Sequence, residues 1–352
     1  MIEKRKMVKR KVRQRRVSSV DVAKEAGVSQ ATVSRVFNQK KGTNVSEDTV
    51  EKIMAAANKL NYRPSVIARS LQENTTNIIG IINRRFDSSF HMISLDLFSR
   101  ELQKQGYTTL LLNLPSDGSM DSTLHKALEY QVDGIILTSA KLTSSLASEC
   151  QNYDTPVVQF NRYSLYQEVD SVCLDNYKAG MDVGNYLLET NHKRIGYVSG
   201  IAGSSTSVDR KKGLEDSIGR EGLALTCEYI GILTHESGCK AADSFFSHVD
   251  REKWPDAVFC VTDDVAAGFI DQARSVYGVN IPEDVSVVGF DDAPIAKWPQ
   301  YQLSTISQPI EVMVMETIDI LMDLIRYEKS GVMKKMIPGA FVARKTVKDR
   351  NK

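Results

Sequence analysis

A short helix near the start of the chain carries side chains that could make specific hydrogen bonds to a partner. Ser29 predicts where this helix begins, because a hydroxyl at the N-cap accepts a backbone N–H of the first turn. Val33, Val36 and Phe37 recur at helical spacing and form its inward face. The outward face is left to Gln30, Ala31, Ser34 and Arg35. Such a free face is typical of a helix that presents side chains for recognition.

Another short helix comes before it and sets its position. Ser18 predicts the N-cap, and Asp21 lies three residues later, where a carboxylate can bond back to the cap. Gly27 ends the helix, because a tight turn there needs a residue that tolerates positive φ. Its small apolar side consists of Val20, Ala23 and Ala26. The pair has the layout of a helix-turn-helix, although two packed helices also occur in other small α bundles.

A third helix is predicted to complete a small core. Ser46 is placed to cap it, and one apolar stripe then runs along it. The stripe consists of Val50, Ile53, Met54, Ala57 and Leu60. We expect the three helices to close over Val20, Val33 and Phe37. The segment SVIARSLQE that follows Pro64 reads as one more helix, too short to be stable alone in water.

Charge is divided unevenly along the chain. Residues 1–75 hold 17 Lys/Arg against 7 Asp/Glu, about +10, and the remainder holds 28 against 37, about −9, around a net charge of +1. A basic head on an acidic body indicates that one end meets a polyanion. Residues 1–16, with nine Lys/Arg and one acid, are predicted to be a disordered basic tail.

Composition narrows the class of protein. The cysteines are odd in number and never form a C-x-x-C pair, which favours reduced thiols over a disulfide framework or a zinc site. They are Cys150, Cys173, Cys227, Cys239 and Cys260. No apolar run approaches the roughly 18 residues of a membrane span, and no signal-peptide pattern follows the basic start. We expect a soluble, cytoplasmic protein.

From Asn77 onwards, apolar strands alternate with amphipathic helices. The predicted strands are 78–82, 108–113, 134–138, 157–160, 195–199, 257–261 and 285–290. The predicted helices are 90–105, 122–130, 177–190, 210–221, 236–247, 265–276 and 310–328. Val- and Ile-rich strands that alternate with helices indicate parallel sheets covered on both faces. The number of strand–helix units is too large for one sheet and favours two doubly wound lobes. In such sheets a ligand binds at the carboxyl ends of the strands.

Several segments together resemble the LacI/GalR family of bacterial transcriptional repressors, over nearly the whole chain. They include VDVAKEAGVSQATVSRVFN, LNYRPSVIARSL, VDGIIL, TPVVQFNR, DSVCLDN, NHKRIGYVSG, DRKKGL, FCVTDD and IPEDVSVVGFDD, in the order and spacing of the family. The resemblance implies an all-α helix-turn-helix DNA-binding domain followed by a two-lobed α/β effector domain similar to periplasmic binding proteins.

The resemblance also implies domain boundaries. The DNA-binding domain would span 17–63, the hinge helix and linker 64–76, and the effector-binding and dimerisation domain 77–348. Lobe 1 would comprise 77–174 and 309–330, and lobe 2 would comprise 175–308 and 331–348. The three crossings between lobes are expected near Leu174, Gln308 and Ser330.

On DNA, the resemblance places Gln30, Ala31 and Arg35 against the bases. An amide can pair with adenine, a guanidinium with guanine, and a methyl group can touch thymine. Two hinge helices would pair on the operator, and Leu71 of each would wedge into the minor groove. The DNA-binding residues it implies are Ser18, Ser29, Gln30, Ala31, Thr32, Ser34, Arg35, Asn38, Tyr62 and Leu71. Because one such domain reads only a half-site, the resemblance also implies a homodimer bound to a pseudo-palindromic operator.

At the other end, the resemblance implies a cleft for a small effector, a sugar in our interpretation, since fixed donors and acceptors can meet adjacent hydroxyls. The residues it assigns there are Phe86, Asp87, Phe90, Arg162, Arg210, Asp263, Asp291 and Gln308. For Arg210 and Asp291 a purely structural ion pair is the alternative. For Phe86, Phe90 and Arg162 a structural role without ligand contact is likewise the alternative. The loop NRRFDSSF (83–90) lacks the Pro-containing run of many relatives, and the region near Leu233 lacks the aromatic that often caps the ligand.

We therefore expect a sequence-specific repressor, allosterically controlled by a sugar, that regulates carbohydrate-utilisation genes. A solute-binding protein of the same lobed fold is the alternative. An enzyme is disfavoured, because no nucleophile, base and orienting group can be assembled from the sequence. No cofactor or metal is expected. Gly200-x-x-Gly203 is only a fragment of a dinucleotide motif, and His235-Glu236 lacks a second histidine at the spacing zinc needs.

Overall fold

The computed structural model describes residues 17–38, 45–64, 75–83, 88–114, 120–138, 150, 152–164, 168–327 and 331–351. They belong to two compact units that divide between Thr76 and Asn77. The predictions for residues 1–16, Leu71, Phe86 and Asp87 lie outside the described residues, as does most of the hinge segment. Each unit is described by itself.

The first unit contains three helices, α1 (Ser19–Ala26), α2 (Gln30–Asn38) and α3 (Glu47–Lys59). The predicted caps of α1 are present. The Ser18 backbone N–H donates to Asp21 Oδ2 at 2.8 Å, and Gly27 has a φ of 68°. Ser29 also caps α2 as predicted, since its Oγ accepts the Thr32 N–H at 3.1 Å. Ser46 precedes α3, but its hydroxyl bonds the Thr49 hydroxyl instead of capping the helix.

The core of this unit differs from the expected one at one position. Val20 was expected inside, but 53 % of it is exposed, whereas Val22 is fully buried. The reason is the phase of α1, which begins at Ser19 and turns Val22 and Ala23 toward α2 and α3. The buried core consists of Val22, Ala23, Val33, Ile53, Ala56 and Ala57.

The second unit begins with a six-stranded parallel sheet. Its strands are β1 (Ile78–Asn83), β2 (Thr108–Asn113), β3 (Gly134–Thr138), β4 (Val157–Phe160), β5 (Asp170–Leu174) and β11 (Lys334–Ile337), in the order β11-β5-β4-β3-β1-β2. The helices α4 (Ser89–Lys104), α5 (Met120–Glu129) and α10 (Ile310–Arg326) cover it. Phe98 of α4 and Leu321 of α10 pack in one core, and Leu124 of α5 packs in another. We call this layer the first lobe.

A four-stranded parallel sheet forms the second lobe. Its strands are β6 (Ile195–Ser199), β7 (Cys227–Ile230), β8 (Ala257–Cys260) and β9 (Ser286–Val288), in the order β7-β6-β8-β9. One face carries α6 (Asn176–Glu189) and α7 (Ser205–Gly219), and the other carries α8 (His235–Phe246) and α9 (Asp263–Tyr277). A separate antiparallel pair joins β10 (Thr305–Ser307) to β12 (Ala340–Val342).

The chain leaves the first sheet after Leu174 and returns to the first lobe through α10. The third crossing was expected near Ser330, with residues 331–348 assigned to the second lobe. That placement is wrong for β11, because Lys334–Ile337 pair in parallel with Ser171–Leu174 of the first sheet. The crossing therefore falls between Ile337 and Ala340. The segment KKMI has little strand character, because it lies at the edge of the sheet and only Ile337 is buried.

The predicted α/β class with two doubly wound lobes is confirmed, and the predicted strands and helices are present with shifted ends. Five short strands, β5, β7, β10, β11 and β12, were not predicted. The helix α7 begins at Ser205, five residues before its expected start. In the described part of the chain, no helix has both the length and the apolar character needed to cross a membrane.

The helices α6 and α7 touch backbone to backbone. A Cβ placed on Gly180 would overlap the carbonyl oxygen of Arg210, and one placed on Gly213 would overlap that of Tyr177. Only glycine permits this close approach, so these two positions fix the distance between the helices.

Gly180→Ala should lower the free energy of unfolding by about 3 kcal/mol, because the added methyl group forces α6 and α7 apart. Gly219→Ala, in the last turn of α7, is the matched control. Its Cβ would point into open space, so we expect a change within about 0.5 kcal/mol. Urea unfolding curves of both variants measure the difference. Equal losses would contradict the role given to Gly180.

Candidate effector cleft and recognition helix

The exposed face of α2 carries the side chains predicted to read bases. Gln30, Ala31 and Arg35 are exposed, whereas Val33 is fully buried. The Gln30 amide donates to the Ser19 hydroxyl at 3.2 Å, a bond that a base edge can replace because both groups face solvent. The face thus offers an amide, a methyl group and a guanidinium to a partner.

The other predicted DNA contacts have structural partners as well. The Ser18 hydroxyl donates to Asp21 Oδ2 at 2.7 Å, and the Ser29 hydroxyl bonds the Thr32 hydroxyl at 2.8 Å. Tyr62 packs edge-on against Phe37, with ring centroids 5.6 Å apart. Ser34 is partly buried on α2, and Asn38 is the last residue of that helix. The contacts of Ser18, Ser29, Thr32 and Tyr62 hold the unit together whether or not DNA is bound.

In the second unit, Arg210 is the centre of the predicted effector site. It lies in α7 and is only 4 % exposed. Its Nε donates to Asn176 Oδ1 at 2.8 Å and its Nη1 to the Val261 carbonyl at 2.6 Å. The guanidinium carbon lies 3.4 Å from the centroid of the Phe290 ring. Burial lowers the pKa of Arg210, and the neighbouring Asp291 carboxylate acts in the opposite direction.

Asp291 and Gln308 lie together beside this cation. Gln308 Nε2 donates to Asp291 Oδ1 at 2.5 Å. Burial raises the pKa of Asp291 to about 7, and Arg210 and Gln308 oppose the rise. Asp291 has a φ of 113°, a strained value for a residue other than glycine. Among the described residues, the buried Gln308 Oε1 has no hydrogen-bond partner, so it could accept a bond from a ligand.

Asp263 was predicted to line the cleft, and this prediction is wrong. Its side chain is fully buried. Its Oδ1 accepts from the Thr305 hydroxyl and its Oδ2 from the Ala293 backbone N–H, both at 2.7 Å. Burial raises the pKa of Asp263 well above its usual value. The carboxyl group joins the start of α9 to the loop after β9. Thr262 caps that helix, since its Oγ1 accepts the Val265 N–H.

Phe90 was predicted as an aromatic that stacks on a ligand, and the structure corrects this as well. It is 3 % exposed and stacks on Phe160 with ring centroids 6.0 Å apart. Phe160 is the last residue of β4, so Phe90 belongs to the core of the first lobe. Arg162 follows β4 and is partly exposed. It lies close enough to Cys173 to influence the pKa of that thiol.

The loop after β4 joins the two lobes. Tyr163 donates its hydroxyl to Asp209 Oδ2 at 2.9 Å and its backbone N–H to the Ser205 hydroxyl at 3.3 Å. Ser205 and Asp209 both lie in α7 of the second lobe. Burial raises the pKa of Asp209, while the hydrogen bond from Tyr163 opposes the rise. The Tyr163–Asp209 hydrogen bond therefore links the two lobes near the part of α7 that carries Arg210.

A pocket of about 340 Å³ lies beside this contact. It is lined by Tyr163, Asp175, Asn176, Tyr177, Asp209, Lys212 and Met336. None of these was among the predicted effector residues. The described residues contain no group of three His, Cys, Asp or Glu side chains placed to hold a metal ion.

Sequence reasoning missed Tyr163, Asn176 and Phe290. Phe290 directly precedes Asp291, in the segment VVGFDD that drew attention to the carboxylate. Asn176 has no local signal, because its partner Arg210 lies 34 positions away along the chain. Tyr163 adjoins Arg162, so sequence reasoning identified this loop without singling out Tyr163.

A helix-turn-helix unit followed by a two-lobed α/β unit with a polar cleft defines a class of regulatory proteins, and comparison with known proteins agrees. Residues 76–345 match the family model "Periplasmic binding proteins and sugar binding domain of LacI family", and residues 20–65 match "Bacterial regulatory proteins, lacI family". The chain belongs to the LacI family of bacterial transcriptional regulators.

Similar proteins support this assignment along the whole chain. The HTH-type transcriptional repressor PurR of Vibrio vulnificus (strain CMCP6) is 32 % identical over 94 % of this chain and 98 % of its own. Catabolite control protein A of Priestia megaterium is 32 % identical over 84 % of this chain and 88 % of its own.

Solved structures share the fold. The lac repressor dimer bound to operator and the anti-inducer ONPF has a TM-score of 0.85 at 23 % identity, with 95 % of this chain and 100 % of that chain covered. The complex of the transcriptional regulator CelR with cellobiose has a TM-score of 0.69 at 26 % identity, with 94 % of this chain and 100 % of that chain covered.

Tyr163→Phe should loosen the closure of the two lobes, because it removes a hydrogen bond to a carboxylate and costs about 1–2 kcal/mol. Tyr177→Phe is the matched control. Tyr177 makes the same 2.9 Å bond to a carboxylate of α7, Asp216, but within the second lobe. Small-angle X-ray scattering of the ligand-free proteins should detect a larger radius of gyration in Tyr163→Phe alone. An equal change in both variants would refute the bridging role.

Asp291 should make stability depend on pH. Its folded-state pKa of about 7 lies above the ordinary value of 3.8, so its contribution to stability is full below pH 4 and is lost as pH rises toward 7. Asp291→Asn removes this titration, so Tm should fall less than in the parent between pH 4 and 7. Asp292→Asn, which disrupts the 2.5 Å ion pair with Arg344, is the control. Parallel pH profiles for the parent and Asp291→Asn would refute the assignment.

Proposed function

We propose that this protein is a transcriptional repressor whose affinity for an operator is controlled by a small polar effector, a sugar, bound between its lobes. The observation that carries the proposal is the constellation of Arg210, Asp291 and Gln308. It combines a buried cation, a carboxyl group with a raised pKa and an amide oxygen with no partner among the described residues.

These groups suit a ligand that both donates and accepts hydrogen bonds. The Arg210 guanidinium can donate only, whereas Gln308 Oε1 can accept only, and Asp291 can accept when ionised. Adjacent hydroxyls of a sugar supply both roles within a short distance. The cellobiose complex of CelR, 26 % identical to this chain, supports the sugar class. We propose that the regulated genes serve carbohydrate utilisation.

At the other end, α2 would read the operator. Gln30 and Arg35 would pair with base edges in the major groove, with Ala31 touching a methyl group. Ser29, Thr32, Ser34 and Asn38 would set the register on phosphates, and Leu71 would wedge into the minor groove. Because one such unit reads only a half-site, we propose a cytoplasmic homodimer on a pseudo-palindromic operator.

The competing function is a solute-binding protein with the same two lobes and no regulatory role. The helix-turn-helix unit favours the repressor, since a solute-binding protein has no use for an exposed recognition face. The proposal assigns no catalytic step to either lobe. Effector binding would change the lobe arrangement and thereby the operator affinity, by an amount set by its differential affinity for the two states.

Operator binding and effector binding should be separable by two different substitutions. Arg35→Ala should weaken operator binding by about 5- to 150-fold, from the loss of a base contact worth about 1–3 kcal/mol, and leave effector binding intact. Arg210→Gln should abolish the effector response but retain operator binding. The measurements are a thermal-shift screen of mono- and disaccharides beside purine bases, and gel shifts on the protein's own promoter region with each compound that raises Tm.

Lys52→Ala, on the exposed surface of α3, is the control for Arg35→Ala. If Arg210→Gln lost operator binding as well, Arg210 would be structural. If a purine raised Tm and no sugar did, the effector would be a purine instead of a sugar, and the proposed repressor function would stand. No gel shift under any condition would contradict the regulatory function itself.

A further inference from the structure

The Asn176 side chain occupies a junction between the lobes. Asn176 is the first residue of α6 and lies two positions after Leu174, the last residue of β5 in the first sheet. It is only 2 % exposed. Its Nδ2 donates to the Leu174 carbonyl at 2.9 Å, and its Oδ1 accepts from Arg210 Nε at 2.8 Å. One small amide therefore contacts the end of one lobe and the buried cation of the other.

The orientation of this amide follows from its partners. The Leu174 carbonyl can only accept and the Arg210 Nε–H can only donate. In a flipped amide, Nδ2 would face the Arg210 Nε–H, donor against donor, and Oδ1 would face the Leu174 carbonyl, acceptor against acceptor. Asparagine is thus the residue type that satisfies both neighbours at once, because it offers a donor and an acceptor on a short side chain.

The surrounding backbone leaves little room for compensation. Gly180 and Gly213 allow α6 and α7 to touch backbone to backbone next to the Asn176–Arg210 bond, at Arg210 and at Tyr177. The backbone of Arg210 is therefore packed against α6, and the freedom that remains to Arg210 is that of its side chain. Three contacts restrict it: Asn176 at Nε, the Val261 carbonyl at Nη1, and the Phe290 ring on one face.

These contacts decide which edge of the guanidinium is open. With Nε and Nη1 bonded inside the protein, Nη2 has no hydrogen-bond partner in the described part of the chain. Without the bond at Nε the guanidinium could rotate about its last side-chain bonds and exchange the positions of Nη1 and Nη2. A ligand would then meet a mixture of orientations instead of a fixed pair of donors.

We propose that Asn176 is the positioning residue of the effector site, which fixes the Arg210 guanidinium with Nη2 toward the cleft and anchors it to the carbonyl that ends the first sheet. The proposal rests on the proposed function in which Arg210 binds the effector. Asn176 itself need not touch the ligand.

The test compares three variants of the full-length protein. Asn176→Ala removes the acceptor. Asn176→Asp restores an acceptor for Arg210 Nε. Asn185→Ala is the matched control, because Asn185 Oδ1 accepts from the Ser217 hydroxyl at 2.7 Å between the same two helices, away from Arg210.

The primary measurement needs no effector. In protein labelled with ¹⁵N-arginine, the Nε–H signal of Arg210, assigned by its loss in Arg210→Lys, should exchange slowly with water. We expect exchange at least about tenfold faster in Asn176→Ala, since a hydrogen bond to a charged donor of about 1.5 kcal/mol or more is lost. Asn185→Ala should match the parent. Asn176→Asp, which keeps an acceptor for Nε but loses the bond to the Leu174 carbonyl, should exchange more slowly than Asn176→Ala. Unchanged exchange in Asn176→Ala, or equal acceleration in Asn185→Ala, would overturn the proposal.

A second measurement separates this proposal from the proposed function. Cellobiose is titrated into each variant by calorimetry. If the parent binds it, Asn176→Ala should bind at least about tenfold more weakly and Asn176→Asp should recover. If the parent does not bind it while the exchange results hold, the sugar class is in doubt and the positioning role stands. Normal cellobiose affinity in Asn176→Ala would overturn the positioning role.

Discussion

A buried guanidinium is the physical constraint on which the two-lobed unit depends. Removing Arg210 from water would be prohibitive without compensation, because a charge in a poorly polarisable interior loses its hydration. The compensation comes from four groups in three parts of the chain: Asn176 after the first crossing, the carbonyl of Val261, and the ring of Phe290 with the carboxyl of the adjacent Asp291. Each lies just after a strand, so the charge holds the carboxyl ends of several strands in one arrangement.

Three acids that act electrostatically on Arg210 are subject to the same constraint. The pKa values of Asp209, Asp263 and Asp291 are all raised by burial. One cation cannot neutralise all of them, so burial disfavours the charged forms of these carboxyls.

Sequence reasoning recovered features whose cause is local. The capping box at Ser18 and Asp21 and the positive φ of Gly27 follow from residue type and spacing alone. It failed where the cause is distant. Nothing near Asp263 distinguishes a carboxylate that faces the cleft from one that is buried under Thr305, 42 positions away. Phe90 misled for the same reason, because its contact with Phe160 depends on the fold of the whole first lobe.

The placement of β11 has a consequence for how the protein is made. The first sheet gains its outer strand from Lys334–Ile337, and one face of it is covered by α10, residues 310–326. A ribosome would therefore release the first lobe only after almost the entire chain had been synthesised, and until then β5 would present an unpaired edge. By then, the helices and the sheet of the second lobe, residues 176–288, have already been synthesised. Since domains fold as their residues emerge, we expect the lobe that is first in the sequence to be the last to fold, with a period of exposure to aggregation that chaperones would need to cover.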